Sequence, residues 1–372
     1  MSQLFRPFRL AGATLSNRLV FPAIAACFAQ DSKVSERMID YYRRRANGVG
    51  MVIVEPGVVH PDSATLPGIL GNWSDECLPG LRRLALAIKA EGAVAMVQAV
   101  HSGPQGIARE AEGVEPVGPS AIEYIKGHPV RALTAEEIPL YLELFAAGAE
   151  RAAKAGFDGI EVHCAHLYLL SSFLSPLTNR RADAYGGSTE GRAKIVVDLL
   201  GKIRRRVGQN FLISVRMNAM EASVSAVAMT PEEARRLAVR FEEAGADMIH
   251  VTALASIAPE RVGRYLCPAS PDPGAAAPPG MYLPWIKTVK EGLRIPVIGV
   301  GKIDTPELAE RALAEGCCDL VAVGRAMIAD PLWAQKAKAG RAADIRRCTY
   351  CRSCYHSRKQ GRGLICVINE EV

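Results

Sequence analysis

Two histidines and a tyrosine lie within six residues of one another, in the stretch His163-Cys-Ala-His166-Leu-Tyr168. Imidazole rings can donate hydrogen bonds to a carbonyl or phenolate oxygen. A phenol beside them can give a proton to a carbon that becomes a carbanion. A pair of structural histidines with a packing tyrosine is the alternative interpretation, whereas a zinc site is disfavoured because no third ligand lies nearby.

Four of the ten cysteines fall in the last 25 residues, with the spacing Cys348-x2-Cys351-x2-Cys354-x11-Cys366. Four thiolates with this spacing suit a [4Fe–4S] cluster, and a four-cysteine zinc site is the alternative. Such clustering indicates metal binding rather than a disulfide framework. The other six cysteines are dispersed along the chain: Cys27, Cys77, Cys164, Cys267, Cys317 and Cys318.

The elements that would position these residues alternate between short apolar runs and amphipathic segments. Eight of the runs are continuous, as expected of parallel strands covered on both faces. They are Leu19–Ile24, Met51–Glu55, Val94–Ala99, Gly159–Cys164, Leu212–Arg216, Met248–Thr252, Val297–Val300 and Leu320–Val323. Helices are predicted between most of them: Ser35–Asn47, Leu81–Glu91, Tyr141–Ala155, Glu190–Val207, Pro231–Ala244 and Pro306–Glu315.

Several of these helices end in glycine just before the next strand, at Gly92, Gly156, Gly245 and Gly316, as expected of left-handed helix C-caps. Eight strands with intervening helices predict an α/β fold, a single (β/α)8 barrel over residues 1–340, followed by a metal-binding segment over residues 341–372. A doubly wound sheet is the structural alternative, but eight strands are many for it. No Gly-x-Gly-x-x-Gly turn follows the first strand either.

A barrel predicts an active site just after the C-terminal ends of its strands. Polar residues gather there, after the third, fourth, fifth, seventh and eighth strands: Gln98, His101, His163, His166, Tyr168, Arg216, Gly301-Lys302 and Gly324-Arg325. Three longer insertions fall at the same end, where long loops usually form lids or substrate walls. These insertions are His101–Leu133, Met217–Met229 and Ala253–Leu283.

The stretch that begins at His163 resembles the signature of the old yellow enzyme family of FMN oxidoreductases. That signature reads His-x-Ala-His/Asn-Gly-Tyr-Leu, Phe-Leu-Ser-Pro, Asn-x-Arg and Asp-x-Tyr-Gly-Gly-Ser. Here its later parts are Phe173-Leu-Ser-Pro176, Asn179-Arg-Arg181 and Asp183-Ala-Tyr-Gly-Gly-Ser188. The resemblance covers essentially the whole chain, from Asn17-Arg18 to Cys366. It implies that the chain folds as a TIM barrel and binds FMN.

The resemblance also implies roles for individual residues. Gln98 resembles the glutamine that binds the flavin pyrimidine edge, and Arg216 resembles the arginine beside flavin N1 and O2. His163 and His166 resemble the pair that grips the substrate oxygen, and Tyr168 resembles the proton donor. The remaining cofactor residues fall into two groups, the phosphate-binding turns Gly301, Lys302, Gly324 and Arg325, and the backbone under and beside the ring from Pro22, Ala23, Ala25 and Gly57.

The chain departs from the family pattern at four positions. Leu167 replaces the glycine that usually precedes the proton-donor tyrosine, and Pro104 replaces the arginine that usually follows His-x-Gly. Lys302 replaces a more common arginine, which keeps the charge but loses the planar fork. Ala25 stands where relatives carry a flavin-tuning Cys or Thr, or a Cys that bonds to the flavin, so we expect noncovalent FMN.

A similar cysteine cluster follows the same barrel in the 2,4-dienoyl-CoA reductases and trimethylamine dehydrogenase, so the resemblance favours a [4Fe–4S] cluster over zinc. Those relatives continue into FAD- and NAD(P)H-binding domains, whereas this sequence ends six residues after Cys366. A naturally short protein, a piece of a longer protein and electron supply by a partner flavoprotein all stay open. A purely structural cluster is a further alternative.

The function implied by the resemblance is reduction of an activated C=C bond in an α,β-unsaturated carbonyl or thioester, with NAD(P)H or a partner flavoprotein as the electron source. The main alternative is an amine dehydrogenase or N-demethylase like trimethylamine dehydrogenase, although that enzyme has a tyrosine in place of His163. Dienoyl-CoA itself is disfavoured, because residues 252–259 lack the histidine that its reductases carry after the sixth strand. A non-catalytic electron-transfer subunit is the third alternative.

Composition narrows the class of protein. With 49% hydrophobic and 23% charged residues, the chain is typical of a soluble globular enzyme. Its net charge of +6 is not gathered into a basic stripe with interleaved aromatics, which disfavours nucleic-acid binding. The N-terminus lacks the apolar core of a signal peptide, and no apolar stretch is long enough to span a bilayer. We therefore expect a cytoplasmic enzyme with a small-molecule substrate, and a homo-oligomer stays possible.

Overall fold

The computed structural model describes residues 2–123, 127–222, 227–255 and 275–372. Cys267 and most of the predicted Ala253–Leu283 insertion lie outside the described residues. Eight parallel strands form the centre of the molecule. They are β1 (Leu19–Phe21), β2 (Met51–Val58), β3 (Val94–Val100), β4 (Gly159–Cys164), β5 (Leu212–Ala222), β6 (Met248–Ala255), β7 (Val297–Gly299) and β8 (Leu320–Ala322).

These strands close into a ring. Each strand pairs in parallel with the next, and β8 returns to β1 through Val321 opposite Leu19. The β4–β5 pairing completes the circle, with His163 opposite Arg216. A closed parallel barrel with helices outside it is a (β/α)8 TIM barrel, which confirms the predicted fold and excludes the doubly wound sheet.

Eleven helices are found in the described part of the chain. They are α1 (Glu36–Ala46), α2 (Leu78–Ala90), α3 (Ile138–Lys154), α4 (Leu169–Leu174), α5 (Thr189–Val207), α6 (Pro231–Glu243), α7 (Leu283–Lys290), α8 (Pro306–Ala314), α9 (Arg325–Ala329), α10 (Trp333–Lys338) and α11 (Ser353–Lys359). The six predicted helices all form. In the described ranges, no helix combines the length and apolarity needed to cross a membrane.

Side-chain caps and glycines set the ends of the helices. Thr230 and Thr305 accept hydrogen bonds from backbone N–H groups in the first turns of α6 and α8, and each is followed by a proline at the first helical position. At the other ends, the four predicted C-cap glycines all have positive φ angles, between 67° and 99°. The helices therefore end where the sequence predicted, and each chain segment turns back into the next strand.

The barrel interior is apolar at its N-terminal end. Met51, Met96, Leu212 and Met248 pack together there with less than 2% of their surface exposed. A short hairpin formed by Phe8–Arg9 and Thr14–Leu15 covers this end. This plug leaves the opposite end of the barrel, where the strands finish, as the place for a cavity.

The Met217–Met229 insertion was predicted as a loop, but the structure places a β-hairpin in its described part. Strand β5 continues to Ala222, and a short strand over Val227–Met229 returns antiparallel to it. The extended strand also pairs with β6 as far as Ala222 opposite Ala255. In its described part, this side of the barrel mouth is therefore a sheet extension rather than an irregular loop.

Candidate functional site

A cavity of about 620 Å³ opens at the C-terminal ends of the strands. Twelve of the residues predicted for the site line it: Pro22, Ala23, Ala25, Gln98, His163, His166, Tyr168, Arg216, Gly301, Lys302, Gly324 and Arg325. Gly57 lies within β2 between two lining residues, Pro56 and Val58, but does not itself line the cavity. The fold thus brings together side chains that are up to 303 positions apart in the sequence.

The two histidines and the tyrosine form one aromatic group in this cavity. The ring of His163 lies 5.1 Å from that of His166 and 5.0 Å from that of Tyr168, measured between centroids. Burial lowers the pKa of both imidazoles well below 6.5, and the Arg216 charge lowers it further, so both rings are neutral at neutral pH. Burial also raises the pKa of the Tyr168 phenol, which therefore keeps its proton.

The turn between β4 and α4 gives these side chains their positions. His166 and Leu167 have φ angles of 62° and 58°, in the left-handed region that favours glycine. Leu167 nevertheless fits, because its side chain is buried and its N–H donates to Ser171 Oγ at 3.1 Å. The two left-handed residues turn the chain sharply, so that Tyr168 returns beside His163.

Arg216 is buried within β5, beside the segment that follows β1. Its guanidinium donates to the carbonyl oxygen of Ala23 at 3.1 Å. Within the part of the chain that the structure describes, Arg216 Nε and His163 Nδ1 are buried without any hydrogen-bond partner. Buried polar atoms rarely stay unpaired, so both atoms are suited to a bound polar molecule.

A layer of polar side chains lies directly beneath this group, and the sequence analysis missed it. Glu161, Ser214 and His250 each lie two residues before a cavity residue on β4, β5 and β6, so their side chains share its face. Glu161 accepts from Gln98 Nε2 at 2.7 Å and from Ser214 Oγ at 3.2 Å, and it lies 2.8 Å from His250 Nδ1. Side chains two positions apart on a strand lie on the same face, so this layer could have been predicted from the residues two positions before His163, Arg216 and Thr252.

The turns after β7 and β8 lie close to one tyrosine of the C-terminal segment. Lys302 Nζ and the Arg325 guanidinium lie 4.5 and 4.6 Å from the centre of the Tyr350 ring. Lys302 Nζ also donates to the carbonyl oxygens of Ala275, at 2.7 Å, and Ala277. Two cations are thereby concentrated at one end of the cavity, which suits an anionic group.

Gly301 gives this end of the cavity its shape. Its φ angle is 133°, and a Cβ there would fall 2.5 Å from the ring of Tyr282. Only glycine therefore lets the chain pass between β7 and this ring. The backbone of the turn comes close to the cavity as a result.

The four clustered cysteines line a second, small cavity beside the first. Cys354 lines both cavities. All four cysteines are free of disulfides. Among the described residues, however, no group of three or more His, Cys, Asp or Glu side chains is arranged around a single metal ion. The cysteines are thus brought together, but the structure itself does not identify a metal.

The segment that carries these cysteines folds back onto the mouth of the barrel. Arg358 donates to the carbonyl oxygen of Ala25 at 2.8 Å. The backbone N–H of Leu364 donates to the carbonyl oxygen of Ala26 at 2.8 Å. Asn369 donates to the carbonyl oxygen of Ile328 at 2.9 Å. The C-terminal segment is therefore part of the cavity wall, a contact that its sequence did not predict.

Comparisons with known proteins agree with this architecture. A profile of the NADH:flavin oxidoreductase / NADH oxidase family matches residues 3–344. An NADH oxidase of Thermoanaerobacter brockii is 39% identical over 372 residues, which cover 98% of this chain and 56% of that protein. The structure of a 2-naphthoyl-CoA reductase with 2-naphthoyl-CoA has 31% identity and a TM-score of 0.91, covering 100% of this chain and 57% of that one.

A histamine dehydrogenase from Rhizobium sp. 4-9 is also similar, with 26% identity and a TM-score of 0.85, over 99% of this chain and 52% of that one. The chain thus spans about half the length of these relatives. The family match, the barrel and the site geometry agree with the family expected from the motif that begins at His163. The chain therefore belongs to the NADH:flavin oxidoreductase / NADH oxidase family.

Proposed function

We propose that this chain is an FMN-dependent ene-reductase that reduces the activated C=C bond of an α,β-unsaturated carbonyl or thioester. NAD(P)H or a partner flavoprotein would supply the electrons. The observation that carries the proposal is the group of two neutral imidazoles and a protonated phenol in one cavity with Arg216. Two hydrogen-bond donors and one acid are the groups that reduction of such a bond requires from the protein.

The residues of the large cavity fit FMN. Arg216 and Gln98 would hold the pyrimidine edge, and the unpartnered Arg216 Nε supports such a contact. The turns at Gly301-Lys302 and Gly324-Arg325 would hold the phosphate, where the barrel fold often binds one. The backbone of Pro22, Ala23 and Ala25 would lie under and beside the ring, whereas Gly57, which was expected there as well, does not line the cavity. FMN bound there would supply a hydride to the β-carbon of the substrate.

We expect FMN to bind noncovalently, because the side chain of Ala25 is a methyl group and cannot act as a nucleophile. Cys27 is the nearest thiol along the chain, and burial raises its pKa to about 12, so it is not a thiolate at neutral pH. Acid precipitation should therefore release the flavin into the supernatant. Flavin that stays in the pellet, or protein that never binds flavin, would contradict this part of the proposal.

The protein's own groups would act on the substrate oxygen and the α-carbon. His163 and His166, neutral at pH 7, would donate hydrogen bonds to the carbonyl oxygen and so draw electron density from the double bond. Tyr168 would donate its phenolic proton to the α-carbon. Its raised pKa keeps the proton available across the neutral range.

We further propose that residues 341–372 form a cluster-binding segment on a barrel of residues 1–340. Cys348, Cys351, Cys354 and Cys366 would hold a [4Fe–4S] cluster, which would relay single electrons. Their common cavity, and the position of Cys354 between both cavities, support this assignment. About four irons per chain are expected after anaerobic preparation, whereas zinc without iron would favour the alternative metal.

An amine dehydrogenase is the second candidate, because the chain is also similar to a histamine dehydrogenase. The two candidates differ in which half-reaction the substrate supports. Tyr168→Phe should slow oxidation of the reduced enzyme by an enone about 10²–10⁴-fold, the usual effect of a positioned general acid. Reduction of the flavin by an artificial donor should stay nearly normal.

Tyr185→Phe is the matched control, since the Tyr185 hydroxyl donates to Asp198 and its side chain does not line the cavity. Stopped-flow measurement of both half-reactions on one preparation separates the candidates. Fast reduction of the flavin by a secondary or tertiary amine, with no turnover of enones, would contradict the ene-reductase proposal and support the amine dehydrogenase. Loss of both half-reactions in Tyr185→Phe would show that the tyrosine substitutions act through folding.

A further inference from the structure

We infer that Glu161 is a positioning residue, which fixes the side-chain amide of Gln98 and sets the charge beneath Arg216. The inference rests on the proposed FMN site and goes beyond it, because Glu161 itself does not line the cavity. Three observations support it: the hydrogen bond from Gln98, the complete burial of the carboxylate, and its position one layer below Arg216.

The contact with Glu161 determines the orientation of the Gln98 side-chain amide. A carboxylate can only accept hydrogen bonds, so the Gln98 group that lies 2.7 Å from Glu161 Oε1 is the amide nitrogen. The amide is planar, and its oxygen therefore points away from Glu161. Because Gln98 lines the cavity, this oxygen is the group available to a ligand. An outward acceptor matches the imide N–H of an isoalloxazine ring.

The Glu161 layer also carries a charge. Glu161 and His250 are fully buried in the barrel, 2.8 Å apart. Burial alone would raise the pKa of Glu161, but His250, Arg216 and the amide of Gln98 hold it below its usual value. Burial lowers the pKa of His250, which is therefore neutral. The layer thus carries one negative charge beneath the positive charge of Arg216.

This arrangement predicts how a flavin in the cavity would respond to Glu161. With Glu161 ionised, the attraction of Arg216 for negative charge on the ring is partly cancelled. Removing the carboxylate charge leaves the guanidinium uncompensated in a medium of low dielectric constant, where charges a few ångström apart interact strongly. Negative charge on the flavin should then be stabilised more, and the midpoint potential should rise.

A purely structural role for Glu161 predicts something different. In that case substitution would lower stability and leave the flavin potential where it was. Two variants separate the charge from the hydrogen bond. Glu161→Gln removes the charge and keeps the length of the side chain, whereas Glu161→Asp keeps the charge and shortens the reach to Gln98.

The experiment uses the flavin-loaded full chain and three readouts: the dissociation constant for FMN, the midpoint potential, and the affinity for sulfite, an anion that binds oxidised flavins. Glu161→Gln should bind sulfite about tenfold more tightly and show a midpoint potential about 30 mV higher, the two-electron equivalent of a factor of ten. Glu161→Asp should bind FMN about tenfold more weakly, the loss expected for one charge-assisted hydrogen bond, and keep wild-type sulfite affinity.

Asp247→Asn is the matched control. Asp247 also pairs with an arginine, Arg204, at 2.7 Å, but it lies immediately before β6, at the opposite end of the barrel. Its substitution should change none of the three readouts. Unchanged potential and sulfite affinity in Glu161→Gln, with FMN bound, would overturn the inference. Failure of the wild-type chain to bind FMN would instead refute the proposed function. If Glu161→Gln does not fold, normal FMN affinity in Glu161→Asp would overturn the positioning role.

Discussion

Replacing Glu55 by glutamine should remove the loss of stability that this carboxyl causes between about pH 4.5 and pH 7. The Glu55 carboxylate is completely buried beneath the loop that follows β1, where it accepts a hydrogen bond from the backbone N–H of Ala26 at 2.8 Å. Burial raises the pKa of this carboxyl from 4.5 to about 7, although the hydrogen bonds from Ala26 and Cys27 oppose the shift. The folded protein therefore keeps a proton that the unfolded chain loses near pH 4.5.

The sign and size of the effect follow from proton binding. Between the two pKa values the native state binds more protons than the unfolded state, so the free energy of unfolding falls as the pH rises. The two pKa values differ by about 2.5 units, and each unit is worth about 1.36 kcal/mol. The free energy of unfolding should therefore fall by about 3 kcal/mol by pH 7. Glutamine cannot ionise and can still accept from Ala26, so the variant should gain stability relative to the wild type as the pH increases.

Denaturant unfolding at half-unit steps from pH 4.5 to pH 8 measures this difference directly. Glu310→Gln provides the control, because Gln3 and Leu4 N–H groups bind that carboxylate and lower its pKa, which places its titration below pH 4.5. It should shift the whole curve without changing its slope above pH 5. Parallel curves for wild type and Glu55→Gln across the window would refute the assignment of Glu55 as the titrating group.

Three further substitutions test separate parts of the structure. Leu167→Gly should destabilise the fold by about 1–3 kcal/mol in denaturant unfolding, because the loss of a buried leucine outweighs the roughly 1 kcal/mol relieved at its left-handed backbone. Arg216→Ala should weaken FMN binding about tenfold to a hundredfold in fluorescence titration, the usual loss for a charged hydrogen-bond donor. Cys366→Ser should lose iron, measured by metal analysis, while circular dichroism of the barrel stays unchanged, because the barrel core is built from other residues.

The strands and helices could be predicted because local patterns determine them. Continuous apolar runs predicted all eight barrel strands, and Gly159–Cys164 matched to the residue. The prediction of β5 ended at Arg216, six residues early, because it stopped at the first charged side chain. That arginine is buried and paired with Ala23, so its charge does not mark the end of the strand.

Contacts between distant residues were beyond prediction from one sequence. Glu161 and His250 lie in apolar strands 89 positions apart, and only the closed barrel brings them within 2.8 Å. The short helices α9, α10 and α11 were missed because they have fewer than eight residues, too few to display helical periodicity. Tyr350 and Arg352 adopt left-handed backbone conformations that neither residue type favours. The turns at these two residues therefore could not be predicted from residue type.

The layered order of the barrel interior explains why the chemistry is confined to one end. Apolar side chains such as Met96 and Leu212 fill the N-terminal end, and the charged layer around Glu161 comes next. Such a layer is stable only where each charge has a partner, since an unpaired buried charge costs several kcal/mol. Within the described residues, the unpartnered atoms of His163 and Arg216 are found one layer higher, at the cavity. The barrel thus pairs the Glu161 carboxylate within its own interior, whereas among the described residues His250 Nε2 beside it and the atoms of His163 and Arg216 above it have no hydrogen-bond partner.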